Sequence, residues 1–400
     1  MLMYVAETFC VSAKLSDSRA AGNLWGGFLE KRGCGWFGGA ENAAFPISWR
    51  GRQSSIWTCG SRRSFSSSKS DHHLSRANLF LIIEVSRGPY SSQKQIMGIR
   101  RDDDGPWQNG AKAAISLTFD NMGEAADLQR GLWGSDPVGN HYTVTQVIPR
   151  ILLLLKKYGI PVTYLIESWN IKVYGEFILK EIAAAGHEIG WHGWQHEPWA
   201  KLSSEEEQEN FALSFGTAGI QQWLEDSKSE PYAGFRPPGG LIHTDRTLEL
   251  CQQHHLKYIS PAGENAARVN STPSGNTMIV LPFRWVMVDA YYYMATFAGL
   301  RRIKGEYSEE QQSSKTLVDR FILEIDAAID EKEFLSILFH PFLTQSLERF
   351  GALETVLAYL AKRRDAGDIW LAPCRDVALY VEGHPNVVGT DPQWDLSQWR

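Results

Sequence analysis

The stretch GHEIGWHGWQHEPW, residues 186–199, joins a short apolar segment to a dense group of histidine and tryptophan side chains. His192 and His196 are four residues apart and stand at the end of the predicted strand EIGWH. Imidazole nitrogens at this spacing can bind a metal ion, but a hydrogen-bonded pair in a core or on a surface has the same pattern. The segments on either side of the stretch are needed to choose between these interpretations.

On both sides of this stretch, short apolar runs alternate with segments of helical period. AAISLTF, residues 113–119, predicts a buried strand, and residues 143–159 predict a helix that ends at a glycine. Ser203 and Glu206 have the spacing of a capping box at the start of a later helix. Strands separated by helices indicate βα units and a parallel sheet, so the sequence predicts an α/β barrel. The other predicted strands are IPVTYLI, EIGWH, YAGFRP, LKYIS, TMIVLPF, LSILFHP and DIWLAP.

The N-terminal part of the chain has a different pattern. Residues 1–96 have no sustained period and are rich in Ser, Gly and Arg, which predicts an unstructured or spurious leader. Met97 is a plausible start for the working protein. The predicted organisation is therefore a leader, a barrel over residues 97–385 and a C-terminal tail over residues 386–400.

Composition and sequence patterns limit the classes of binding partner and the cellular compartment that we expect. The formal net charge of −6 gives no electrostatic basis for binding nucleic acid or an anionic membrane. No apolar run approaches the roughly 20 residues of a membrane helix. Five cysteines without paired spacing predict free thiols in a reducing compartment. No clear signal peptide is present, so a cytoplasmic location is expected, although the Arg- and Ser-rich stretch RGRQSSIWTCGSRRSFSSSK leaves an organellar transit peptide open.

Polar side chains follow several of the predicted strands at the point where each strand ends. In (β/α) barrels this edge carries the catalytic groups, because its loops converge on one mouth. His192, His196 and Asp120 together form a set of nitrogen and oxygen ligands that suits Zn²⁺ or another divalent ion. This set leaves coordination positions on the ion open for water and substrate. The remaining strand-end candidates are Arg236, Trp285, Asp289 and His340.

The motifs LTFDN, HGWQHE, RPPGG, WVMVDA and LFHP resemble, in order and approximate spacing, those of the NodB-homology polysaccharide deacetylases, carbohydrate esterase family four. The resemblance covers roughly residues 110–375. The glutamate after the second histidine and the form LPFRW…D resemble one branch of this family. That branch contains intracellular peptidoglycan-deacetylase-like proteins and metal-independent allantoinases and cyclic-imide hydrolases.

The resemblance implies an irregular (β/α) barrel in which a metal-activated water attacks an amide carbonyl. Asp120 matches the general base, and Arg236 matches the arginine that orients it. His340 matches the general acid, and Asp289 resembles the acidic member of the fourth motif. The resemblance implies that His192 and His196 bind the metal, which is expected to be zinc.

One position departs from the family pattern. The second aspartate of the first motif, the usual metal ligand, is Asn121 here. Asn121 could ligate through its neutral amide oxygen, or Glu124 or Asp120 could replace it. The third alternative is loss of the metal, as in the allantoinase-like relatives. Retention of both histidines favours a metal.

Several further side chains are candidates for substrate binding. Tryptophans near the motifs could form the floor of a cleft for a sugar or a ring, or they could belong to the barrel core. Glu197 could bind substrate or fix its loop. His141 could also reach the site. The predicted substrate-binding residues are Trp194, Glu197, Pro238, Gly239 and Trp285.

These observations predict a metal-dependent hydrolase of amide bonds other than peptide bonds. The expected substrate is an acetylated amino sugar or a related carbohydrate. One alternative is a hydrolase of small cyclic amides, metal-free or metal-assisted. A second alternative is an inactive carbohydrate-binding scaffold, which Asn121 suggests and which Asp120, Arg236 and His340 oppose. No nucleic acid or membrane partner is expected, and homo-oligomer formation is left open.

Overall fold

The computed structural model describes residues 104–221, 223, 232–270 and 277–397. The predicted leader, residues 1–96, and the predicted boundary near residue 97 lie outside the described residues. The described part of the predicted C-terminal tail packs on the barrel. Trp394 bridges to Gly263 through the backbone, and Asp395 forms a 2.6 Å ion pair with Lys304.

Within the described residues, nine strands form one curled sheet, and the α/β prediction is confirmed. The order in the sheet is β6-β7-β5-β4-β3-β2-β1-β8, with β9 also pairing with β1. All pairs are parallel except β6 with β7. The strands are β1 Ala113–Asp120, β2 Thr163–Ile166, β3 Glu188–Trp191, β4 Gly234–Phe235, β5 Tyr258–Ile259, β6 Ala267–Asn270, β7 Thr277–Val280, β8 Phe334–Phe339 and β9 Ile369–Leu371.

Helices connect most of these strands, as the alternation in the sequence predicts. The longest, Ser314–Glu331 and Leu347–Asp365, lie before and after β8 and pack on each other. The α-helices whose full bounds lie in the described residues are α1 Ala125–Gln129, α2 Ile148–Tyr158, α3 Ile171–Phe177, α4 Ser204–Phe215, α5 Thr244–Gln253, α6 Asp289–Tyr293, α7 Ala298–Lys304, α8 Ser314–Glu331, α9 Leu347–Asp365 and α10 Cys374–Gly383. Within the described part of the chain, no helix is both long enough and apolar enough to cross a membrane.

Closure of the barrel is irregular. The segment after β7 makes only single parallel bridges, from Phe283 to Ala262 and from Val288 to Leu338. These bridges link the β5 side of the sheet to β8 without a full strand between them. The irregular barrel implied by the motifs is therefore the architecture found.

Strand β1 pairs with three other strands, and all eight of its residues are buried. It pairs with β8 along Ala114–Phe119, with β2 near its carboxyl end and with β9 near its amino end. Its odd-numbered residues, such as Leu117 and Phe119, belong to the main hydrophobic core. The side chains of Thr118 and Asp120 point to the other face, because successive residues of a strand alternate in direction.

Two local features refine the predicted helices. Ser203 and Glu206 form the expected capping box at the start of α4. The helix predicted over residues 143–159 begins with a wide π turn over Thr143–Val147 and then continues as α2. Pro149 explains the difference, because proline has no N–H and its ring clashes with the carbonyl of a regular preceding turn. Gly159 ends the helix in the left-handed region with φ 60°, as predicted.

Strand β6 was not predicted. Its sequence ARVN has no apolar run, and it lies at the edge of the sheet. It forms by antiparallel backbone pairing with β7, which residue type alone does not indicate.

Candidate active site

A cavity of about 540 Å³, counted with the solvent at its mouth, opens where the parallel strands end. Asp120 is the last residue of β1, and His192, Arg236 and His340 each follow directly on a strand. The fold thus brings together side chains that are more than 200 residues apart in the sequence. The predicted residues that line the cavity are Asp120, Asn121, His192, His196, Arg236, Gly239, Trp285 and His340.

Asp120 is held by a buried arginine. Arg236 is fully buried, and its Nη1 donates to Asp120 Oδ1 at 2.9 Å. The other N–H groups of Arg236 donate to the hydroxyls of Thr118, Ser260 and Ser336. All five donors of the guanidinium are therefore used inside the protein. Arg236 fixes the carboxylate and balances its charge, but it has no donor left for a substrate.

His340 and Asp289 form a second pair at the same mouth. The ring Nδ1 of His340 lies 2.6 Å from Asp289 Oδ1, and the backbone N–H of His340 donates to Oδ2 at 2.8 Å. Burial acts to lower the pKa of His340, but the charge and hydrogen bond of Asp289 outweigh it, and the pKa is raised. Because Nδ1 is engaged, Nε2 is the ring nitrogen that His340 can present to the cavity.

His192 has the opposite protonation state. Its Nδ1 lies 2.8 Å from the backbone carbonyl of Arg236, so Nδ1 carries the proton and Nε2 has a lone pair. Burial lowers the pKa of His192 to about 4, against the opposing charge of Asp120. Nε2 is 3.8 Å from Asp120 Oδ2, which is too far for a direct hydrogen bond. His192 is thus a neutral imidazole at neutral pH.

His196 is engaged by an arginine that the sequence analysis did not single out. The ring centroids of His196 and His192 are 5.0 Å apart. His196 Nδ1 lies 3.3 Å from Nη2 of Arg130, which also lines the cavity. Arginine only donates, so Nδ1 of His196 is the acceptor and its neutral ring carries the proton on Nε2.

Asn121 contacts a buried glutamate. Its Nδ2 donates to Glu167 Oε1 at 2.5 Å, and its backbone is in the left-handed region with φ 68°. Glu167 also accepts hydrogen bonds from the Met122 N–H and from Asn170 Nδ2. Burial raises the pKa of Glu167 to about 7, although these hydrogen bonds act to lower it. Glu167 directly follows β2, so the rule that selected the other strand-end residues could have found it.

As positioned, these side chains do not fit the metal-binding set that the motifs imply. His192 fits, because its Nδ1–H is held by a carbonyl and Nε2 is a lone-pair donor. His196 does not fit, because a cationic guanidinium occupies its Nδ1 and leaves the proton on Nε2. Asn121 brings no charge, and its amide N–H is used by Glu167. Among the described residues, no three His, Cys, Asp or Glu side chains form a group that could hold a metal ion.

The alternative ligand Glu124 is directed elsewhere. It is fully buried, and its carboxylate accepts hydrogen bonds from the Tyr174 hydroxyl and the Gly139 N–H. The Nδ1 of His141 lies 2.6 Å from the hydroxyl of Thr143. Neither residue lines the cavity.

The predicted substrate-binding residues divide into two groups. Trp285 and Gly239 line the cavity, whereas Trp194, Glu197 and Pro238 do not. Glu197 accepts hydrogen bonds from the backbone N–H groups of Trp194 and Gln195, so it fixes its own loop.

The remaining tryptophans of the opening stretch belong to the core. Trp191 and Trp199 are fully buried, with ring centroids 5.6 Å apart in an edge-on arrangement. They also contact Phe211 and Phe235. These rings form the packing beneath β3 and β4 and do not line the cavity.

Comparison with known proteins relates part of this chain to a family. Residues 108–259 match the family model described as polysaccharide deacetylase. This segment, less than half of the chain, is similar to the polysaccharide deacetylase family. The matched segment contains Asp120, His192, His196 and Arg236. Asp289 and His340 lie beyond it, so their pairing rests on the geometry alone.

Two curated relatives match about a third of the chain. A peptidoglycan deacetylase of Helicobacter pylori is 30% identical over 132 residues, 33% of this chain and 39% of that protein. A peptidoglycan-N-acetylglucosamine deacetylase of Bacillus cereus is 32% identical over 129 residues, 32% of this chain and 47% of that protein. The chain thus spans less than half the length of each of these curated relatives.

Solved structures support the fold. A Mycobacterium smegmatis protein described as a polysaccharide deacetylase superposes with a TM-score of 0.58 at 21% identity, over 75% of this chain and 99% of that one. The PuuE allantoinase superposes with a TM-score of 0.53 at 17% identity, over 72% of this chain and 98% of that one. Both similarities are similarities of the barrel fold.

Proposed function

We propose that this protein hydrolyses an amide bond other than a peptide bond, as an N-deacetylase-like enzyme on an acetylated amino sugar or a related carbohydrate. One observation carries the proposal. A carboxylate held by Arg236 and an imidazole held by Asp289 face the same cavity, and they are suited to opposite proton-transfer roles.

Asp120 is the base. Its Oδ1 is fixed by Arg236, and its Oδ2 lies 3.8 Å from the lone pair on His192 Nε2. A water that donates one hydrogen bond to Oδ2 and one to Nε2 is oriented, and its oxygen lone pairs face away from both acceptors. Asp120 then removes a proton from this water as the new C–O bond forms at the substrate carbonyl.

His340 is the acid. The Asp289 carboxylate keeps its ring protonated, so Nε2–H can donate to the departing nitrogen when the C–N bond breaks. The products are a carboxylic acid and an amine. A proton returned from Asp120 to His340 through solvent restores the starting state.

The divalent metal stays a prediction of the motifs. The engagement of His196 by Arg130 and of Asn121 by Glu167 opposes the predicted ligand set, and none of the steps above uses a metal. The same two contacts favour a second candidate, hydrolysis of a small cyclic amide without a metal. The aromatic walls formed by Phe283, Trp285 and Phe342 suit a single ring in either case.

The test combines metal analysis with two substrate classes. Protein purified without chelator is analysed for bound metal and assayed on N-acetylglucosamine oligomers and on cyclic ureides and imides, before and after chelation. Deacetylation that stops on chelation supports the metal-dependent deacetylase. Full turnover of a ring after chelation selects the second candidate. Carbohydrate binding without turnover of any substrate, together with unchanged binding by Asp120→Asn, would identify an inactive scaffold.

A further inference from the structure

Among the described residues, one cation in the cavity lining has no carboxylate partner. Asp120 is paired with Arg236 at 2.9 Å, and Asp289 is paired with His340 at 2.6 Å. Arg130, the remaining charged side chain of the lining, has no carboxylate within 4.0 Å among the described residues. Its contact is with the neutral ring of His196. The mouth of the cavity therefore carries a net positive charge.

The position of Arg130 suits it to meet a substrate. It caps the short helix α1 and is exposed, so its guanidinium is accessible from solvent. Nη2 reaches His196, whose ring is 5.0 Å from that of His192, and His192 in turn stands 3.8 Å from Asp120. The cation thus lies on the same wall as the base, two side chains away from it.

We propose that Arg130 is a specificity-determining residue that binds a carboxylate on the amide substrate. This inference rests on the proposed function of the cavity. A guanidinium presents its N–H groups as a planar fork that matches a carboxylate, and its single charge balances a single negative charge. Arg236 cannot take this part, because all its donors are used inside the protein.

The contact with His196 gives Arg130 a defined resting place. Because His196 Nδ1 accepts one N–H of the guanidinium, the side chain is held at the cavity before a ligand arrives. Because the Arg130 side chain is already ordered in the free protein, ligand binding loses less side-chain entropy, which favours binding. His196 is then a positioning residue for Arg130.

The experiment compares ligands that differ only in charge. N-acetylglycine is matched with N-acetylglycinamide as a linear amide, and hydantoin-5-acetic acid with its amide as a cyclic one. Binding to the full chain is measured by calorimetry and by ligand-observed NMR at low and high salt. The wild-type protein is expected to prefer the acid of at least one pair by about 10- to 100-fold, as a charge-assisted pair gives, and to lose part of this preference in high salt.

Three variants locate the effect. Arg130→Gln is expected to bring the acid-to-amide affinity ratio close to one, and Arg130→Lys to keep part of the preference without the planar fork. Arg302→Gln is the matched control, since it removes the same charge from an exposed arginine that pairs with Glu309 away from the cavity. This control is expected to keep the wild-type ratio. Thermal unfolding of each variant verifies folding.

The outcomes separate this inference from the proposed function. A ratio that is unchanged in Arg130→Gln, or that is near one in the wild type for both pairs, overturns the role of Arg130 even if amides are hydrolysed. A preference that depends on Arg130, with no hydrolysis of any substrate class, supports the anion site and overturns the proposed function instead.

Discussion

Two pairs of a carboxylate and a histidine lie at the cavity, and they behave in opposite ways. In one, Asp289 bonds directly to His340 at 2.6 Å, and the pKa of the imidazole is raised. In the other, Asp120 stands 3.8 Å from His192, and burial lowers the pKa of that imidazole to about 4. Both histidines are largely buried at one mouth.

The difference lies in what each carboxylate already binds. Asp120 is paired with Arg236, which balances its charge, whereas the Asp289 oxygens are both directed at His340. A buried histidine is therefore charged or neutral according to whether its carboxylate is committed to another cation. One cavity thus holds an acid and a lone-pair acceptor made from the same residue type.

The largest effect is expected from removing the proposed base, Asp120. Asp120→Asn keeps an oxygen for Arg236 but cannot accept a proton, so kcat/KM is expected to fall by about 10³-fold. Steady-state assays measure this fall in kcat/KM, on the substrate that the assays of the two substrate classes identify. Asp326→Asn, which removes a carboxylate from the surface pair with Arg363, serves as the control and is expected to retain activity. Near wild-type turnover by Asp120→Asn would contradict its role as the base.

Removing the cation that distinguishes the pairs is expected to affect stability. Arg236→Met leaves Asp120 buried and unpaired, at a cost of about 3–5 kcal/mol in the free energy of unfolding. The double variant Arg236→Met/Asp120→Asn is expected to recover part of this loss, because it no longer buries a lone charge. Denaturant unfolding of the four proteins in this cycle measures the coupling. Simple additivity would argue against the pairing.

Breaking the second pair is expected to shift the pH profile. Because Asp289 raises the pKa of His340, its loss leaves burial to lower that pKa. Asp289→Asn is therefore expected to move the alkaline loss of kcat to lower pH and to reduce kcat at neutral pH by about 10- to 100-fold. The wild-type protein loses activity as pH rises through the raised pKa, since the acid must be protonated. An alkaline limb at the same pH in both proteins would exclude His340 as the acid.

The smallest effect is expected from a control substitution that changes stability but not the pH profile. Ser203→Ala removes the capping box of α4 and is expected to cost about 1 kcal/mol in the free energy of unfolding. The pH profile of kcat is expected to stay in place, because α4 contributes no residue to the cavity lining. A shift like that of Asp289→Asn would mean that the profile reports stability rather than the second pair.

Much of the fold was predictable because its signals are local. Apolar runs gave the strands of the sheet other than β6, and the capping box and Gly159 gave helix ends. The position of polar residues at predicted strand ends also indicated that Asp120, His192, Arg236 and His340 lie close together, since parallel strands end at one edge of the sheet. The wide turn before α2 and the edge strand β6 were missed, because one follows from a proline clash and the other from backbone pairing.

The details of the site depend on register, which the sequence does not display. Asp120 pairs with Leu165 across β1 and β2, and this register brings Asn121 beside Glu167. Arg130 meets His196 across 66 residues and follows no strand, so no local pattern marks it. These two contacts engage Asn121 and His196, two of the predicted metal ligands. In the sequence, both residues still have the chemistry and the position of ligands.

Strand β1 has three neighbouring strands along its length, and all its residues are buried. Amide hydrogens at Thr118 and Phe119 are therefore expected to exchange with solvent only when the whole barrel opens. Arg130 ends a five-residue helix, where exchange through local fraying needs little free energy. The proposed base, Asp120, is thus fixed to the part of the molecule expected to exchange most slowly, and the proposed anion-binding group, Arg130, belongs to a part that can adjust.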